Sequence, residues 1–306
     1  MLDEFTTPDF SVLICTRNRP DILKKSLISI SHSSLLPNSV IIVATGEDIL
    51  GTLETFRTQL NIQYYHLEGF GQIHQKMFGI NKIPIETYWV LFLDEDLEIE
   101  PHCVSNLFKT LERDANPESI VGIGLADKSF KHSKKAQQFG LSRYRAGKVL
   151  KNAKNVNYMH LNEPVDTDWL NGASMWRKDV LFNYSFEHTH TRYAACEDLI
   201  FSFQAKKYGR LIFSPTSTYQ EIGKSNHEIS AAQLRSLAFW KYYFISKNSE
   251  FSKSLFLLSF TLTTAKYLLK TRKISDKVYA IETLALLTKS IILKVNATKR
   301  LQDLGL

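Results

Sequence analysis

Three consecutive carboxylates, Asp94-Glu95-Asp96, follow a short run of apolar and aromatic residues that begins at Tyr88. The run is continuous rather than alternating, which predicts a strand buried on both faces. In open α/β sheets, ligands bind beyond the carboxyl ends of the strands, where these acids would lie. Hard divalent cations prefer oxygen ligands and commonly bridge to substrate phosphates. Adjacent carboxylates repel one another unless a cation or water offsets their charge. The pattern therefore favours a site for a metal and a diphosphate over a solvated acidic turn.

Strand and helix patterns alternate in the N-terminal third of the chain and must position these acids. The strands are predicted at 10–15, 40–44, 62–66 and 88–93, and the helices at 22–30, 49–60 and 72–80. Such alternation implies right-handed crossovers and a mostly parallel sheet. No GxGxxG follows the first strand and the chain has no P-loop pattern. These absences argue against a dinucleotide cofactor and against a P-loop nucleotide site.

The composition is that of an ordinary globular protein, with 44% hydrophobic and 23% charged residues in a chain of 306. The net charge of +7 is unevenly distributed, because residues 231–306 contain 13 Lys and Arg against 4 Asp and Glu. This asymmetry predicts a basic partner-facing surface in the C-terminal quarter. Three widely spaced cysteines without a CxxC argue against a disulfide framework or a zinc site and favour a reducing cytosol. The acidic segment 1–9 lacks an apolar core, so we expect no signal peptide in this sequence.

Two later segments combine polar and aromatic residues in a way that suits a binding site. Residues 169–175 read Trp-Leu-Asn-Gly-Ala-Ser-Met, and a Glu-Asp pair at 197–198 begins a predicted helix that ends near Gly209. The helix dipole favours acids in a first turn, which is the structural explanation for the pair. The basic segment 127–157 is predicted to be loop and edge structure beside the site, or else a solvated surface excursion.

The chain is predicted to be helical from Ser230 onward. The uncharged stretch 254–265 is too short to span a bilayer, which needs about 20 residues. The second apolar helix, 278–295, contains three charged residues. Apolar helices bordered by Lys and Arg can lie in an anionic membrane interface, and helices that cap the core with a solvated basic face are the alternative. We expect peripheral membrane contact through residues 231–306, with the second interpretation left open.

Four motifs occur in a fixed order along the chain. They are Cys-Thr-Arg-Asn-Arg-Pro at 15–20, Leu-Asp-Glu-Asp at 93–96, the segment 169–175, and Glu-Asp-Leu at 197–199. With these motifs in this order, the chain resembles GT-A glycosyltransferases of the large inverting family 2, and most of all bacterial enzymes that build surface polysaccharides. The resemblance covers about residues 9–225.

The resemblance implies a fold, a domain organisation and an enzyme class. The expected fold is α/β, a Rossmann-like and mostly parallel sheet flanked by helices, with a C-terminal helical extension. The expected domains are a GT-A catalytic domain at 1–228 and a basic amphipathic helical region at 229–306. Within the first, about 9–100 would be the nucleotide-binding half and 101–228 the acceptor half. The expected activity is that of a hexosyl- or deoxyhexosyltransferase.

The family's site residues can be transferred only where this sequence matches its motifs. The DxD motif falls on Asp94 and Asp96, which the resemblance implies hold Mn²⁺ or Mg²⁺ and, with Glu95, the diphosphate of a sugar nucleotide. The resemblance implies that Asp198 is the general base for an acceptor hydroxyl, with Glu197 beside it. The other residues implied to contact the nucleotide sugar are Thr16, Arg17, Arg19, Glu47, Asp48 and Lys76. Those implied to lie near the donor sugar and the acceptor are Trp169, Asn171 and Gly172.

The sequence departs from the family pattern in three places. The strand after the Glu-Asp helix usually ends in a His that joins the metal or the diphosphate, but Gln220 occupies that place here and His227 is the other candidate. The helix at 72–80 has Lys76-Met77 where relatives have Arg-Asn, and Gln204 replaces a further Arg. These changes concern the metal's coordination and the choice of donor, and leave both acidic motifs intact.

The predicted function is transfer of a sugar from a nucleoside-diphosphate donor to a saccharide or lipid-linked acceptor, in the cytoplasm at the inner face of the plasma membrane. A nucleotidyltransferase with the same acid-metal site is one alternative, although the Gly-rich phosphate loop that it needs is absent after the first strand. A non-catalytic protein that binds nucleotide sugars or nucleic acid is the other. Residues 231–306 match no nucleic-acid motif, so no nucleic-acid partner is expected.

Overall fold

The first four strands of the structure lie side by side and run in the same direction. They are β1 (Phe10–Arg17), β2 (Ser39–Thr45), β3 (Ile62–Leu67) and β4 (Trp89–Asp94). Parallel pairing joins β3 to β2, β2 to β1 and β1 to β4. In this computed structural model the described residues are 9–69, 71–130, 145–185, 194–223 and 229–306.

Five further strands extend the sheet beyond β4. They are β5 (Leu97–Ile99), β6 (Ile120–Asp127), β7 (Val165–Thr167), β8 (Ser174–Arg177) and β9 (Arg210–Glu221). The strand order is β3-β2-β1-β4-β8-β6-β9-β5, with β7 beside β9. β8 is antiparallel to β4 and to β6, whereas β6 and β9 are parallel. The parallel pairings are the longer ones, which confirms the expected mostly parallel α/β sheet.

Helices cover both faces of this sheet. Among the described residues before 206 they are α1 (Pro20–Ser31), α2 (Leu50–Leu53), α3 (Gln72–Ile80), α4 (Cys103–Glu112) and α5 (Glu197–Ala205). Short 3-10 helices lie at Glu54–Phe56, Pro117–Ser119 and Lys178–Asn183. Because strand side chains alternate between faces, the sheet divides most of the buried apolar residues into two large cores, and a smaller cluster surrounds Tyr158. One contains Leu27 of α1 and Leu107 of α4, and the other contains Ile73 of α3 and Phe201 of α5.

The C-terminal region is helical, as expected. It contains α6 (Ala231–Lys247), α7 (Lys253–Lys270), α8 (Ile274–Ile292) and α9 (Ala297–Asp303). Ser230 begins α6 with a capping box. Trp240 of α6 is buried in the same core as Phe92 of β4, and Phe244 packs against Phe203 of α5 with ring centroids 4.9 Å apart. The domain boundary at 228–229 stays a prediction, and α6 beyond it shares the core of the sheet.

Several element bounds differ from those predicted. The helix expected at 49–60 is one short turn, α2, followed by a 3-10 turn, since Gly51, Thr52 and Thr55 are poor helix formers. β9 begins at Arg210 and continues to Glu221. In the basic segment 127–157, residues 131–144 lie outside the described part of the chain. No helix in the described ranges is long and apolar enough to cross a membrane.

Candidate active site

A polar cleft of about 420 Å³ opens at the carboxyl ends of β1 and β4. These strands are neighbours, and Cys15 lies directly beside Asp94. The cleft is lined by Cys15, Thr16, Arg17, Arg19, Gly71, Gln72, Gln75, Asp94, Glu95 and Asp96. The two predicted motifs at 15–20 and 93–96 therefore meet in one place. The Thr16 hydroxyl is buried in this cleft and has no hydrogen-bond partner among the described residues, so it is available to a ligand.

The three carboxylates in the cleft are held by cationic and amide donors. Arg19 Nη1 donates to Glu95 Oε1 at 3.1 Å and to Asp96 Oδ2 at 3.3 Å. Gln72 Nε2 donates to Asp94 Oδ1 at 3.0 Å. Burial raises the pKa of all three acids, and repulsion by the other carboxylates adds to the shift. For Glu95 the pKa is raised to about 7.

Asp94 and Asp96 offer the hard carboxylate oxygens that Mn²⁺ and Mg²⁺ accept, and their raised pKa values mark a place where a cation would relieve repulsion. In the described part of the chain, no three His, Cys, Asp or Glu side chains converge into a metal site by themselves. The donor set therefore fits a divalent cation that Asp94 and Asp96 would hold together with a bound ligand.

At the end of β9, where relatives have a His, Gln220 and Glu221 are the residues to consider. Gln220 Nε2 donates to Glu98 Oε2 at 2.8 Å, so its side chain is engaged by the neighbouring strand β5. Glu221 is the next residue of β9, and alternation turns it to the other face. Its charge raises the pKa of both Asp94 and Asp96. The charge of Glu221 thus acts on the acids, and His227 lies outside the described residues.

Gly172 is the point at which the two acidic motifs converge. A Cβ placed on Gly172 would lie 2.9 Å from Asp94 Oδ2 and 3.8 Å from Asp198 Oδ2. The first distance is too short for a Cβ, so a side chain here would displace the Asp94 carboxylate, whereas the second is an ordinary contact. The two residues before Gly172 fix this segment. Asn171 Nδ2 donates to Tyr219 Oη at 2.8 Å, and Leu170 N donates to Ser202 Oγ at 2.9 Å.

Asp198 lies in the first turn of α5, where the helix N-terminus favours a carboxylate. Burial nevertheless raises its pKa to about 7; Lys76 opposes the shift, and the charges of Glu197 and Asp94 add to it. A carboxylate with a pKa near neutrality is well suited to accept a proton from a hydroxyl.

A buried ion pair lies beneath this convergence point. Lys76 Nζ is 2.8 Å from Glu197 Oε1, with only 6% and 8% of the two side chains exposed. The Tyr184 hydroxyl donates to the same carboxylate oxygen. Lys76, predicted to contact the nucleotide sugar, and Glu197, predicted to act beside the base, are engaged with each other here, because a buried charge needs a partner. Both roles stay predictions.

The remaining predicted residues lie around the cleft. Asp48 accepts hydrogen bonds from Tyr64 Oη at 2.7 Å and from Leu50 N at 3.0 Å, and the first of these lowers its pKa. Glu47 is exposed, and its backbone N donates to Asn18 Oδ1 at 2.8 Å, which joins it to the loop after β1. Trp169 Nε1 donates to Val156 O at 3.2 Å, and its ring packs on Tyr158.

Sequence reasoning missed four polar residues of this site. They are Gln72, Gln75, Tyr184 and Tyr219. Gln75 Nε2 donates to Thr16 O at 2.9 Å and to Val43 O at 2.8 Å, which ties α3 to the ends of β1 and β2. The helical spacing of Gln72, Gln75 and Lys76 on α3 was the available signal, because it places these polar residues on the face turned toward the sheet.

The family model described as "Glycosyl transferase family 2" matches residues 11–181. The chain belongs to this family. The match spans the cleft, the acids of the second motif and Gly172, and the protein is a glycosyltransferase. None of the curated proteins compared with the chain matches it significantly.

Solved structures of glycosyltransferases share the fold. Residues 1–349 of S. aureus TarS, in complex with UDP-GlcNAc, superpose with a TM-score of 0.58 at 14% identity, over 91% of this chain and 80% of that one. The mannosyltransferase PcManGT from Pyrobaculum calidifontis, in complex with GDP-Man and Mn²⁺, gives 0.56 at 14% identity, over 98% and 80%. The expected GT-A fold of this glycosyltransferase is confirmed, including helices beyond the sheet.

Proposed function

We propose that this glycosyltransferase is metal-dependent and inverting, and that it moves a sugar from a nucleoside-diphosphate donor to a hydroxyl of a saccharide or lipid-linked acceptor in bacterial surface polysaccharide synthesis. The observation that carries the proposal is the convergence of Asp94 and Asp198 at Gly172, each with a carboxylate oxygen within 4 Å of the position of a Cβ there. One acid faces the nucleotide cleft and the other is the candidate base. The donor sugar would lie between them.

The donor diphosphate occupies the cleft at the ends of β1 and β4. Thr16 offers its unpartnered hydroxyl, and the exposed Arg17 and Arg19 offer guanidinium groups that suit phosphate oxygens. Glu47 and Asp48, beside the same loop, contact the nucleoside. The related structures support a donor of this class, because TarS is seen with UDP-GlcNAc and PcManGT with GDP-Man.

Asp94 and Asp96 hold the Mn²⁺ or Mg²⁺ ion, with Glu95 beside them. When bound, the cation offsets negative charge on the departing diphosphate. Arg19 already neutralises part of the charge of Glu95 and Asp96 in this structure, so it can pass from these acids to the diphosphate when donor and cation enter.

Asp198 takes the proton from the acceptor hydroxyl. The acceptor oxygen then forms a bond to the anomeric carbon as the bond to the diphosphate oxygen breaks on the opposite face, which inverts the anomeric configuration. The raised pKa of Asp198 makes it a stronger base than an ordinary carboxylate. Asn171 and Gly172 shape the space for the sugar, and Trp169 borders the acceptor side, with a lipid-linked acceptor met at the inner face of the plasma membrane.

The test is release of nucleoside diphosphate from a panel of UDP-, GDP- and dTDP-sugars with Mn²⁺. We expect turnover with at least one donor, an inverted anomer in the product by NMR, and loss of turnover with retained donor binding in Asp198→Asn. The matched control is Asp303→Asn, an exposed acid in α9. Turnover with a retained anomer, full activity of Asp198→Asn, or pyrophosphate as the released product would contradict the proposal, and the last result would indicate a nucleotidyltransferase.

A further inference from the structure

Helices α7 and α8 each expose an apolar stripe. On α7 the stripe contains Leu255, Leu258 and Leu262, of which the last two are 60% and 59% exposed. On α8 it contains Val278 and Ile281. Residues three, four or seven apart share one face of a helix, so each stripe is continuous.

These stripes are not needed to hold the two helices in the fold. α7 buries Phe256, Phe260 and Thr264, and α8 buries Ala280 and Leu287. The faces turned toward the protein are therefore separate from the exposed ones. On α7, Leu255, Leu258 and Leu262 border a groove of about 740 Å³ together with Val149 and Phe203, so part of this apolar surface is left open to a partner.

The turn between α7 and α8 places the most exposed apolar residues among cations. Leu269 is 88% exposed and Ile274 is 78% exposed, and Lys270, Arg272 and Lys273 lie between them. We call residues 269–274 the basic tip. A cavity of about 690 Å³ at its base is lined by Ile229, Ser230, Tyr267, Lys270, Thr271, Arg272, Lys273 and Asp276.

Charge indicates what this surface meets. Residues 253–292 contain seven Lys and Arg against two Asp and Glu, so the two-helix surface is cationic as well as apolar. Apolar side chains that project among Lys and Arg match a bilayer interface with anionic headgroups. The apolar side chains enter the hydrocarbon, and the headgroups attract the Lys and Arg side chains.

We infer that the basic tip and the exposed faces of α7 and α8 dock this enzyme on an anionic lipid bilayer, with Leu269 and Ile274 inserted. The inference deepens the proposed function by naming the surface on which a lipid-linked acceptor is met, and it rests on that function only for the nature of the acceptor. It narrows the membrane contact predicted for 231–306 to α7, α8 and the turn between them, since α6 packs its apolar side chains into the core.

The chain connects the base of the tip to the catalytic cleft. Ile222 N donates to Asp96 O at 2.7 Å, and Ile229 lines the cavity at the base of the tip. Seven residues of chain reach at most about 25 Å, which bounds the separation between these two points. A short length of chain therefore joins the acids of the cleft to the base of the tip.

The experiment is sedimentation of the full chain with vesicles of phosphatidylcholine alone and of phosphatidylcholine with an equal amount of phosphatidylglycerol. We expect binding to the anionic vesicles only, reduced by added salt. The variant with Lys270→Gln, Arg272→Gln and Lys273→Gln should partition about a hundredfold more weakly. The variant with Leu269→Ser and Ile274→Ser should lose at least about tenfold.

Matched controls come from distant exposed residues. Lys24→Gln with Lys25→Gln removes charge from α1, and Ile85→Ser removes an apolar side chain that is 93% exposed. Both controls should bind vesicles like the unaltered chain, and all variants should keep its thermal unfolding. Three binding results would overturn the inference: equal binding to neutral vesicles, no binding to anionic vesicles, or unchanged binding of both tip variants. A dimer of the unaltered chain that becomes a monomer in the Leu269→Ser and Ile274→Ser variant would also overturn it.

Nucleoside diphosphate release with a soluble acceptor separates this inference from the proposed function. The tip variants should keep that activity, because their residues lie outside the cleft. If no donor turns over while anionic vesicles are still bound, the proposed function fails and the docking surface stands.

Discussion

Lys76 Nζ lies 2.8 Å from Glu197 Oε1, and this buried contact joins α3 to the first turn of α5. The partners are far apart in the chain, and Asp198 follows Glu197 directly. The pair therefore sets where the candidate base stands relative to the cleft. It also supplies the positive charge that keeps the pKa of Asp198 from rising further.

Replacing Lys76 with Met should leave the Glu197 carboxylate buried without its cation. We expect a loss of about 3–5 kcal/mol in the free energy of unfolding, measured by urea denaturation, because an unpaired buried charge is costly. The double variant Lys76→Met with Glu197→Gln removes both charges and should recover a large part of this loss. A single variant as stable as the unaltered chain would refute the structural role of the pair.

The rate should depend on the protonation of Asp198. Its carboxyl has a pKa raised to about 7 by burial, and only the deprotonated form can act as the base, so kcat/KM for the acceptor should rise as pH increases toward that value and then level off. In the double variant the pKa of Asp198 loses two opposing effects, since Lys76 lowers it and Glu197 raises it.

The effect of Lys76 alone is isolated by comparing the double variant with Glu197→Gln. The midpoint of the pH–rate profile should lie at higher pH in the double variant, because the charge of Lys76 is absent. A flat profile across this range would exclude Asp198 as the base.

Gly172→Ala should disturb the acids without unfolding the protein. The new Cβ would lie 2.9 Å from Asp94 Oδ2, so the carboxylate must shift. We expect kcat/KM for the donor to fall at least about tenfold, since such overpacking typically costs 1–3 kcal/mol. Gly51→Ala is the matched control, because nothing lies within 4 Å of its Cβ and alanine favours α2. Equal activity of the two variants would show that the contact does not matter.

Mn²⁺ should stabilise the protein more at high pH than at low pH. Folding raises the pKa of Asp94, Glu95 and Asp96, so their ionisation costs stability as pH rises from the unfolded pKa near 4 through the folded value, about 7 for Glu95. A cation offsets this cost only where the acids are ionised. The increase in Tm with Mn²⁺ should be larger at about pH 8 than at about pH 5.5.

The control for that measurement is Asp96→Ala, which should lose metal-dependent donor binding and most of the Mn²⁺ effect on Tm. An increase in Tm that is independent of pH, or that Asp96→Ala retains, would place the cation elsewhere.

Glu221 and Gln220 can be distinguished by substitution. Removing the charge of Glu221 in Glu221→Gln should weaken Mn²⁺ binding by roughly tenfold, because a carboxylate near Asp94 and Asp96 attracts the cation through a partly desolvated site. Gln220→Ala removes only the bond to Glu98 and should leave the affinity unchanged. Isothermal titration with Mn²⁺ and nucleoside diphosphate measures both. Weaker Mn²⁺ binding by Gln220→Ala, with unchanged binding by Glu221→Gln, would show that Gln220 takes the role of the family's His.

The sequence predicted those parts of the protein that depend on local pattern. Buried strands read as apolar runs, so β1 to β4 and the acids at the end of β4 were located, and α3 has the bounds that its periodicity predicted. The order of four motifs was enough to indicate the family and the fold. The prediction of a helix at 49–60 was wrong, because it used apolar spacing alone and took no account of the low helix propensity of glycine and threonine.

By itself, the sequence determined which residues could do chemistry and which strands would carry them to one edge of a sheet. Only the tertiary structure decided how those side chains are used. Lys76 pairs with Glu197, because both side chains are buried together. On β9, it is the charge of Glu221 that acts on Asp96, because strand alternation turns Gln220 to the other face. Both outcomes depend on neighbours that are distant in the chain. Gly172 brings Asp94 and Asp198 together for the same reason, since that distance exists only once β4, β8 and α5 have packed.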